Sequence, residues 1–201
     1  MPKAWIKAHK SEYYYRKAKE EKYRSRASYK LFQVIKEYQL IKPSDVVVDL
    51  GAAPGGWMQA AQKTVGSKGF VLGVDINPIQ PFETQNFQTI LGDIMDPHII
   101  EQIKEHLPRQ ADVVVSDVSP NISGIWEVDN ARQIDLARRS LEIAVSVLKP
   151  NGNFFAKTFQ GQMTESFIKE AKQYFTFVKI VKPKASRPKS AEIYILAMKL
   201  K

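Results

Sequence analysis

The chain contains no cysteine. That excludes a disulfide-stapled scaffold, a thiol nucleophile and any metal or cluster held by thiolates. Its three histidines, His9, His98 and His106, are too scattered to supply a ligand set, so no metal is expected. No apolar run approaches the roughly 20 residues needed to span a bilayer. The N-terminus, MPKAWIKAHKSEYYYRK, is basic and aromatic and lacks the apolar segment of a secretory signal. A cytoplasmic protein is the expectation. Three nucleotide and hydrolase signatures are also missing. There is no GxGxxG, no glycine loop ending in GK[ST], and no GxSxG elbow around Ser119.

What is present begins with 201 residues, 44% of them hydrophobic, enough to bury one core. The net charge of +9 is unevenly placed. Residues 1–30 hold ten Lys/Arg against three Asp/Glu, and residues 179–201 hold seven against Glu192 alone, leaving the middle mildly acidic. Trp5, Tyr13, Tyr14, Tyr15 and Tyr23 interleave with the N-terminal charges. Basic groups contact phosphates and aromatic faces stack on bases, so this mixture points to RNA, provided the fold brings the two ends together. No segment there has the apolar face that a membrane anchor needs. Residues 1–24 read as a basic extension and 25–201 as a single domain. Arg24, Arg26, Lys184 and Arg187 are the candidate RNA contacts.

Apolar periodicity predicts alternating helices and strands. A helix is expected over 25–39 with Ser25 as its cap, and KPSD at 42–45 is a turn. Strands are expected at 46–51, 69–76, 87–94, 111–117, 151–159, 177–181 and 191–200. Helices are expected at 55–65, 98–107, 129–148 and 163–175, the last capped by Thr164. Strands alternating with helices imply an α/β fold, a parallel sheet covered on both faces. Ligands in such folds bind beyond the carboxyl ends of the strands.

The densest signal is VVVDLGAAPGGW at 46–57, a buried strand running through a glycine-rich turn into a helix. Gly51, Gly55 and Gly56 allow close approach to backbone, and the helix start offers free N–H groups to an anion. Asp75 ends the second strand, 24 residues after Gly51. An acidic residue about 20 positions past such a loop binds ribose hydroxyls. Asp93 lies near the end of the third strand, where a carboxylate could accept from an adenine amino group. Together these point to an adenosine-type cofactor. Asp117, Lys157 and Glu192 add charge at three further strand ends, and a lysine inside FFAKTF is unusual because lysine is rarely buried unless paired.

In order along nearly the whole chain stand SRASYKL (25–31), VVVDLGAAPGGW (46–57), GVDI (73–76), GDI (92–94), SDVSPNISG (116–124), FFAKTFQG (154–161) and SRPKSAEIYILA (186–197). This set resembles the FtsJ/RrmJ family of ribosomal RNA ribose 2′-O-methyltransferases. The resemblance implies a Rossmann-like, seven-stranded S-adenosylmethionine-dependent methyltransferase fold, mostly parallel, with the last strand antiparallel and helices on both faces. It implies a catalytic tetrad at Lys30, Asp117, Lys157 and Glu192. It places Gly51, Gly55, Gly56, Trp57, Asp75, Asp93 and Asp117 at the S-adenosylmethionine site. It also implies 23S ribosomal RNA or the large subunit as partner, with a uridine as target and the enzyme a monomer. Lys189 and Ala191 depart from the bacterial pattern, which bears on substrate more than on chemistry.

Within that frame Lys157 is the expected base for the ribose hydroxyl, or else a cation that only steers it. Lys30 supplies a second cation, Asp117 orients Lys157, and Glu192 positions Lys30 or the ribose. Alternatives are a transfer RNA or messenger-cap 2′-O-methyltransferase, a small-molecule methyltransferase, or a catalytically silent RNA-binding assembly protein. A nicotinamide-dependent dehydrogenase conflicts with the missing GxGxxG.

Overall fold

Apolar side chains alternate between two faces along the central strands. A computed structural model, describing residues 13–187 and 190–201, shows what each face meets. The strands are β1 (Val46–Leu50), β2 (Phe70–Asp75), β3 (Phe87–Leu91), β4 (Ala111–Ser116), β5 (Leu148–Phe159), β6 (Phe175–Val181) and β7 (Glu192–Leu200). The helices are α1 (residues 13–20), α2 (Ser28–Tyr38), α3 (Gly56–Val65), α4 (Ile99–His106), α5 (Trp126–Val147) and α6 (Thr164–Tyr174). The strands form one sheet in the order β3-β2-β1-β4-β5-β7-β6. β7 runs antiparallel to β5 and β6, and the remaining pairs are parallel.

Val47, Val71, Val113, Phe155 and Leu196 face α2 and α3, where Leu31, Val34, Met58 and Ala61 receive them. Their neighbours Val48, Leu72, Val114, Phe154 and Ile195 face the opposite layer, against Ile103, Ile134, Leu141 and Phe167 of α4, α5 and α6. The period of two thus buries both sets at once. Each large side chain fully withdrawn from water contributes about 1.5–3 kcal/mol, and that drive fixes the layering. The strand order reverses between β1 and β4, so their carboxyl ends open a crevice at the switch point.

A smaller cluster explains the basic ends. Ala18, Tyr29 and Ala185 are buried together, with Tyr14, Tyr23 and Phe32 packed around them. Gln33 Nε2 donates to the Tyr14 hydroxyl at 3.0 Å, and Gln33 Oε1 accepts from the Ala185 amide at 3.2 Å. The segment from residue 13 therefore docks beside the basic loop 182–187. This corrects the expectation for two aromatics, since Tyr14 and Tyr23 are committed to protein packing. Tyr13 and Tyr15 remain exposed. Trp5, His9 and Lys189 lie outside the described residues.

Two expected caps are not made. α2 starts at Ser28, the preceding Ala27 already has helical backbone, and no side chain caps it. Ser28 Oγ instead lies 2.8 Å from both Ser25 O and Gly56 O, its one proton shared between the two carbonyls, tying α2 to α3. Thr164 lies inside α6, where its hydroxyl accepts from Gly161 N at 2.9 Å. α5 begins at Trp126, three residues before the expected 129, because the Asp129 carboxylate accepts the amides of Ser123 and Gly124 at its entrance.

Candidate active site

The crevice at the ends of β1, β2 and β4 is a cleft of about 240 Å³ whose walls include Gly51, Asp75, Asp93, Asp117 and Ser119. Gly51 has φ of +75°, and a Cβ there would stand 2.7 Å from Val118 Cγ1, so a side chain would close the floor. Asp75 Oδ2 accepts from Ala53 N at 2.9 Å and Oδ1 from Asn77 N at 2.8 Å, which fixes the carboxylate at the rim. Asp93 Oδ1 accepts from Met95 N at 2.9 Å. A second, larger groove of about 560 Å³ lies along α5 and α6, and both of its arginines are paired there, Arg138 with Glu170 and Arg139 with Glu142.

Gly55, Gly56 and Trp57 do not line the cleft. A Cβ on Gly56 would come within 2.2 Å of Ser25 Oγ, so that glycine serves the contact between α2 and α3. Gly55 packs against Arg24 and Phe82. Trp57 is buried, stacks 5.7 Å from Phe155 and donates Nε1–H to Ala27 O at 2.8 Å. These three shape the turn by packing against protein.

Behind the loop lies Asp49, wholly buried, with neither carboxyl oxygen in a complete hydrogen bond among the described residues. The Met58 amide in the first turn of α3 acts in its favour. Burial pushes the Asp49 carboxyl well above its ordinary value of 3.8, and Asp117 and Asp75 push it further. An acid raised in the folded state binds more protons there than in the unfolded chain. Its contribution to stability therefore falls as pH rises from 3.8 toward the folded value. In thermal melts from about pH 4 to about pH 8, Asp49→Asn should lose this decline, so the variant gains on the parent as pH rises. A difference that stays flat with pH would contradict the assignment.

The four tetrad positions meet at the ends of β4, β5 and β7 and the first turn of α2. Lys157 Nζ donates to Asp117 O at 2.7 Å and lies 3.3 Å from Asp117 Oδ1. Lys30 Nζ donates to Glu192 Oε1 at 2.6 Å. Tyr194 joins the two pairs: its hydroxyl donates to Asp117 Oδ1 at 2.9 Å and accepts from Lys30 Nζ at 3.0 Å. Lys157 and Tyr194 are directly opposed in the β5–β7 register. Burial, with Asp117 and Glu192 adding to it, raises the Tyr194 phenol well above its ordinary value, which keeps it a donor. The sequence reading missed Tyr194, although Glu192 and Tyr194 are two apart on one strand and share a face. It also missed Gln133, whose buried amide donates to Val118 O and Lys157 O, both at 3.2 Å, pinning β4's exit to β5. Ser186 Oγ, donating to Glu192 Oε1 at 3.1 Å, closes the far side.

The four expected RNA contacts divide. Lys184 and Arg187 are exposed on the loop before β7. Arg26 is partly buried, close enough to Arg187 and Glu192 to feel both charges. Arg24 is spent internally. Its guanidinium donates to Gln80 O at 2.6 Å and Pro81 O at 2.7 Å and lies 3.8 Å over the Phe82 ring.

The strand order, the single reversed strand and the cleft at the switch point are those of the Rossmann-like, S-adenosylmethionine-dependent methyltransferases. The profile of the FtsJ-like methyltransferase family matches residues 23–200, and the chain belongs to that family. It is 49% identical over 198 residues to the ribosomal RNA large subunit methyltransferase E of Methanocaldococcus jannaschii, covering 97% of this chain and 81% of that one. It is 47% identical over 201 residues to the protein of the same name from Methanothermobacter thermautotrophicus, covering all of this chain and 95% of that one. Among solved structures, a Plasmodium falciparum protein assigned as a ribosomal RNA methyltransferase superposes with a TM-score of 0.78 at 24% identity, covering 89% of this chain and 98% of that one. Aeropyrum pernix fibrillarin with bound S-adenosyl-L-methionine gives 0.61 at 18%, covering 87% and 75%. These two likenesses concern the fold.

Proposed function

We propose that this protein transfers a methyl group from S-adenosylmethionine to a ribose 2′-hydroxyl of large-subunit ribosomal RNA, on a uridine, acting as a cytoplasmic monomer. The observation that carries the proposal is Asp117. It lines the cofactor cleft and binds Lys157 and Tyr194, so cleft and tetrad share one residue. The names of the curated relatives support the substrate.

The cleft suits this cofactor. The glycine floor at Gly51 leaves room that any Cβ would take, and Asp75 and Asp93 present fixed carboxylates to hydroxyl and amino groups. When bound, S-adenosylmethionine supplies a methyl group on a positive sulfonium and departs as a neutral thioether, so no acid is needed on that side. The difficulty lies in the hydroxyl, which is weakly acidic and must lose its proton as the new O–C bond forms. Lys157, anchored by two contacts to Asp117, takes that proton as the neutral amine and becomes the ammonium, which the Asp117 carboxylate then faces. Lys30 places a second cation beside the Tyr194 hydroxyl, and Glu192 and Ser186 hold the opposite end. Fixing the hydroxyl in line with the methyl group contributes beyond the base itself.

The test offers tritiated S-adenosylmethionine with large subunits, naked ribosomal RNA and transfer RNA, all taken from cells lacking the modification. Label is expected in ribosomal RNA. Label confined to transfer RNA would move the target, and label in no RNA would overturn the proposal.

The surface around the site makes a further prediction. Replacing Lys184 and Arg187 by alanine should lower the slope of log affinity against log salt by about 1 per residue. Arg24→Ala should lower the melting temperature and leave the slope alone, because its donors are already used. An unchanged slope in the double variant would remove this loop from the RNA path.

A further inference from the structure

The loop between β4 and α5 exposes an unusual concentration of apolar surface. Ile122 is 64% exposed, Ile125 58% and Trp126 45%. Contiguous apolar patches on a protein surface mark binding sites. The exposure is not fraying, because the loop is clamped. The buried Asp129 carboxylate accepts Ser123 N at 2.8 Å, Ser123 Oγ at 2.7 Å and Gly124 N at 3.1 Å. Trp126 follows directly at the start of α5, so its backbone is fixed by the helix and the clamp together.

The indole is also aimed. Its ring stacks on Phe159 with centroids 6.0 Å apart and planes at 24°. Phe159 stands two residues beyond Lys157 on β5 and is the register partner of Glu192. The exposed aromatic thus sits on a side chain that belongs to the tetrad's own strand ends. A tryptophan serving only the core would be covered, as Trp57 is at 3% exposure. Here an aromatic pair borders a site for a polyanion: Phe159 is paired with Glu192, and Glu192 and Arg187 both act electrostatically on Arg26.

We propose that Trp126, backed by Phe159, is a stacking platform for an unpaired nucleobase of the substrate RNA, next to the ribose presented to Lys157. This rests on the RNA methyltransferase reading above. The ligand class is a nucleobase because an open indole face offers stacking to any base, whereas the flanking charges take the phosphates. The platform makes the site selective for an extruded or single-stranded nucleotide over a duplex, since a paired base has no free face.

The test uses a short oligouridylate and naked large-subunit ribosomal RNA as probes. Trp126→Ala should weaken RNA affinity roughly 5- to 150-fold, the range that aromatic stacking of about 1–3 kcal/mol per base converts to. Trp126→Phe should retain most of the affinity, while Trp126→Leu should fall with the alanine variant. A role confined to packing the loop would be rescued by leucine. The chain has three tryptophans, so RNA should quench wild-type fluorescence more than that of Trp126→Phe, isolating this indole. S-adenosylmethionine affinity should be the same in all three variants. Alanine and leucine variants that bind both probes within about twofold of wild type would overturn the platform, as twofold is well below the stacking range. Failure of the wild type to bind or methylate any RNA would instead overturn the function on which it rests.

Discussion

Lys157→Ala is expected to bind S-adenosylmethionine and RNA as the wild type does and to transfer methyl about 10²- to 10⁴-fold more slowly, the range a positioned base contributes. Lys157 is 6% exposed and both of its contacts are to Asp117, so its loss removes no tie between layers. Asp117 keeps its place through its own amide, which donates to Leu50 O at 3.1 Å, and through the Tyr194 hydroxyl. The cleft should therefore survive, and cofactor titration verifies it. Lys157→Arg separates the two roles the amine can play. A guanidinium keeps the charge and hydrogen bonds but does not give up its proton at accessible pH. An arginine variant as slow as alanine supports proton acceptance, and one near wild-type rate supports steering alone. Near-full turnover by Lys157→Ala, with cofactor and RNA bound, would contradict both.

Asp75→Ala should weaken S-adenosylmethionine binding about 10- to 150-fold, the equivalent of the roughly 1.5–3 kcal/mol carried by a hydrogen bond to a charged group. The carboxylate has two jobs. It faces the cleft, and it holds the amides of Ala53 and Asn77 on either side of the cleft mouth. Asp75→Asn keeps one acceptor oxygen and replaces the other by a donor, so it loses either the Ala53 tie or the Asn77 tie and should fall between wild type and alanine. Titration calorimetry reads the affinity directly. Wild-type affinity in the alanine variant would remove Asp75 from the cofactor site.

The strands were legible because their chemistry is local. VVVDL and ADVVVS are buried throughout and stop at Gly51 and Asp117, so their limits in the structure fall within one residue of those expected, whereas β3 ends three residues early and β5 begins three residues early. Helix starts were less legible. Ser25 and Thr164 look like caps from composition, yet Ser25 packs against Gly56, more than 30 residues away, and Thr164 turns back to bind Phe159 O at the β5 exit. The site divides in the same way. Residues at strand ends, Asp75, Asp93, Asp117, Lys157 and Glu192, could be placed because the end of a strand in this fold is the rim of the cleft. Trp57 could not, since nothing local says whether an indole after a glycine turn faces a ligand or the core. Tyr194 escaped notice because its meaning depends on Lys30, 164 residues earlier. Arg24 read as a free cation for a similar reason: its carbonyl partners at Gln80 and Pro81 come from a loop more than 50 residues away.

The central claim is that the methyl group goes to a ribose oxygen, and the position of the label decides it. Ribosomal RNA labelled by the wild type with tritiated S-adenosylmethionine is hydrolysed in alkali and the products are separated by size. Alkaline cleavage needs a free 2′-hydroxyl, so a 2′-O-methyl group protects the adjoining phosphodiester. The account predicts label in alkali-stable dinucleotides, accumulating about 10²- to 10⁴-fold more slowly with Lys157→Ala. Label running with mononucleotides would place the methyl group on a base and contradict the account.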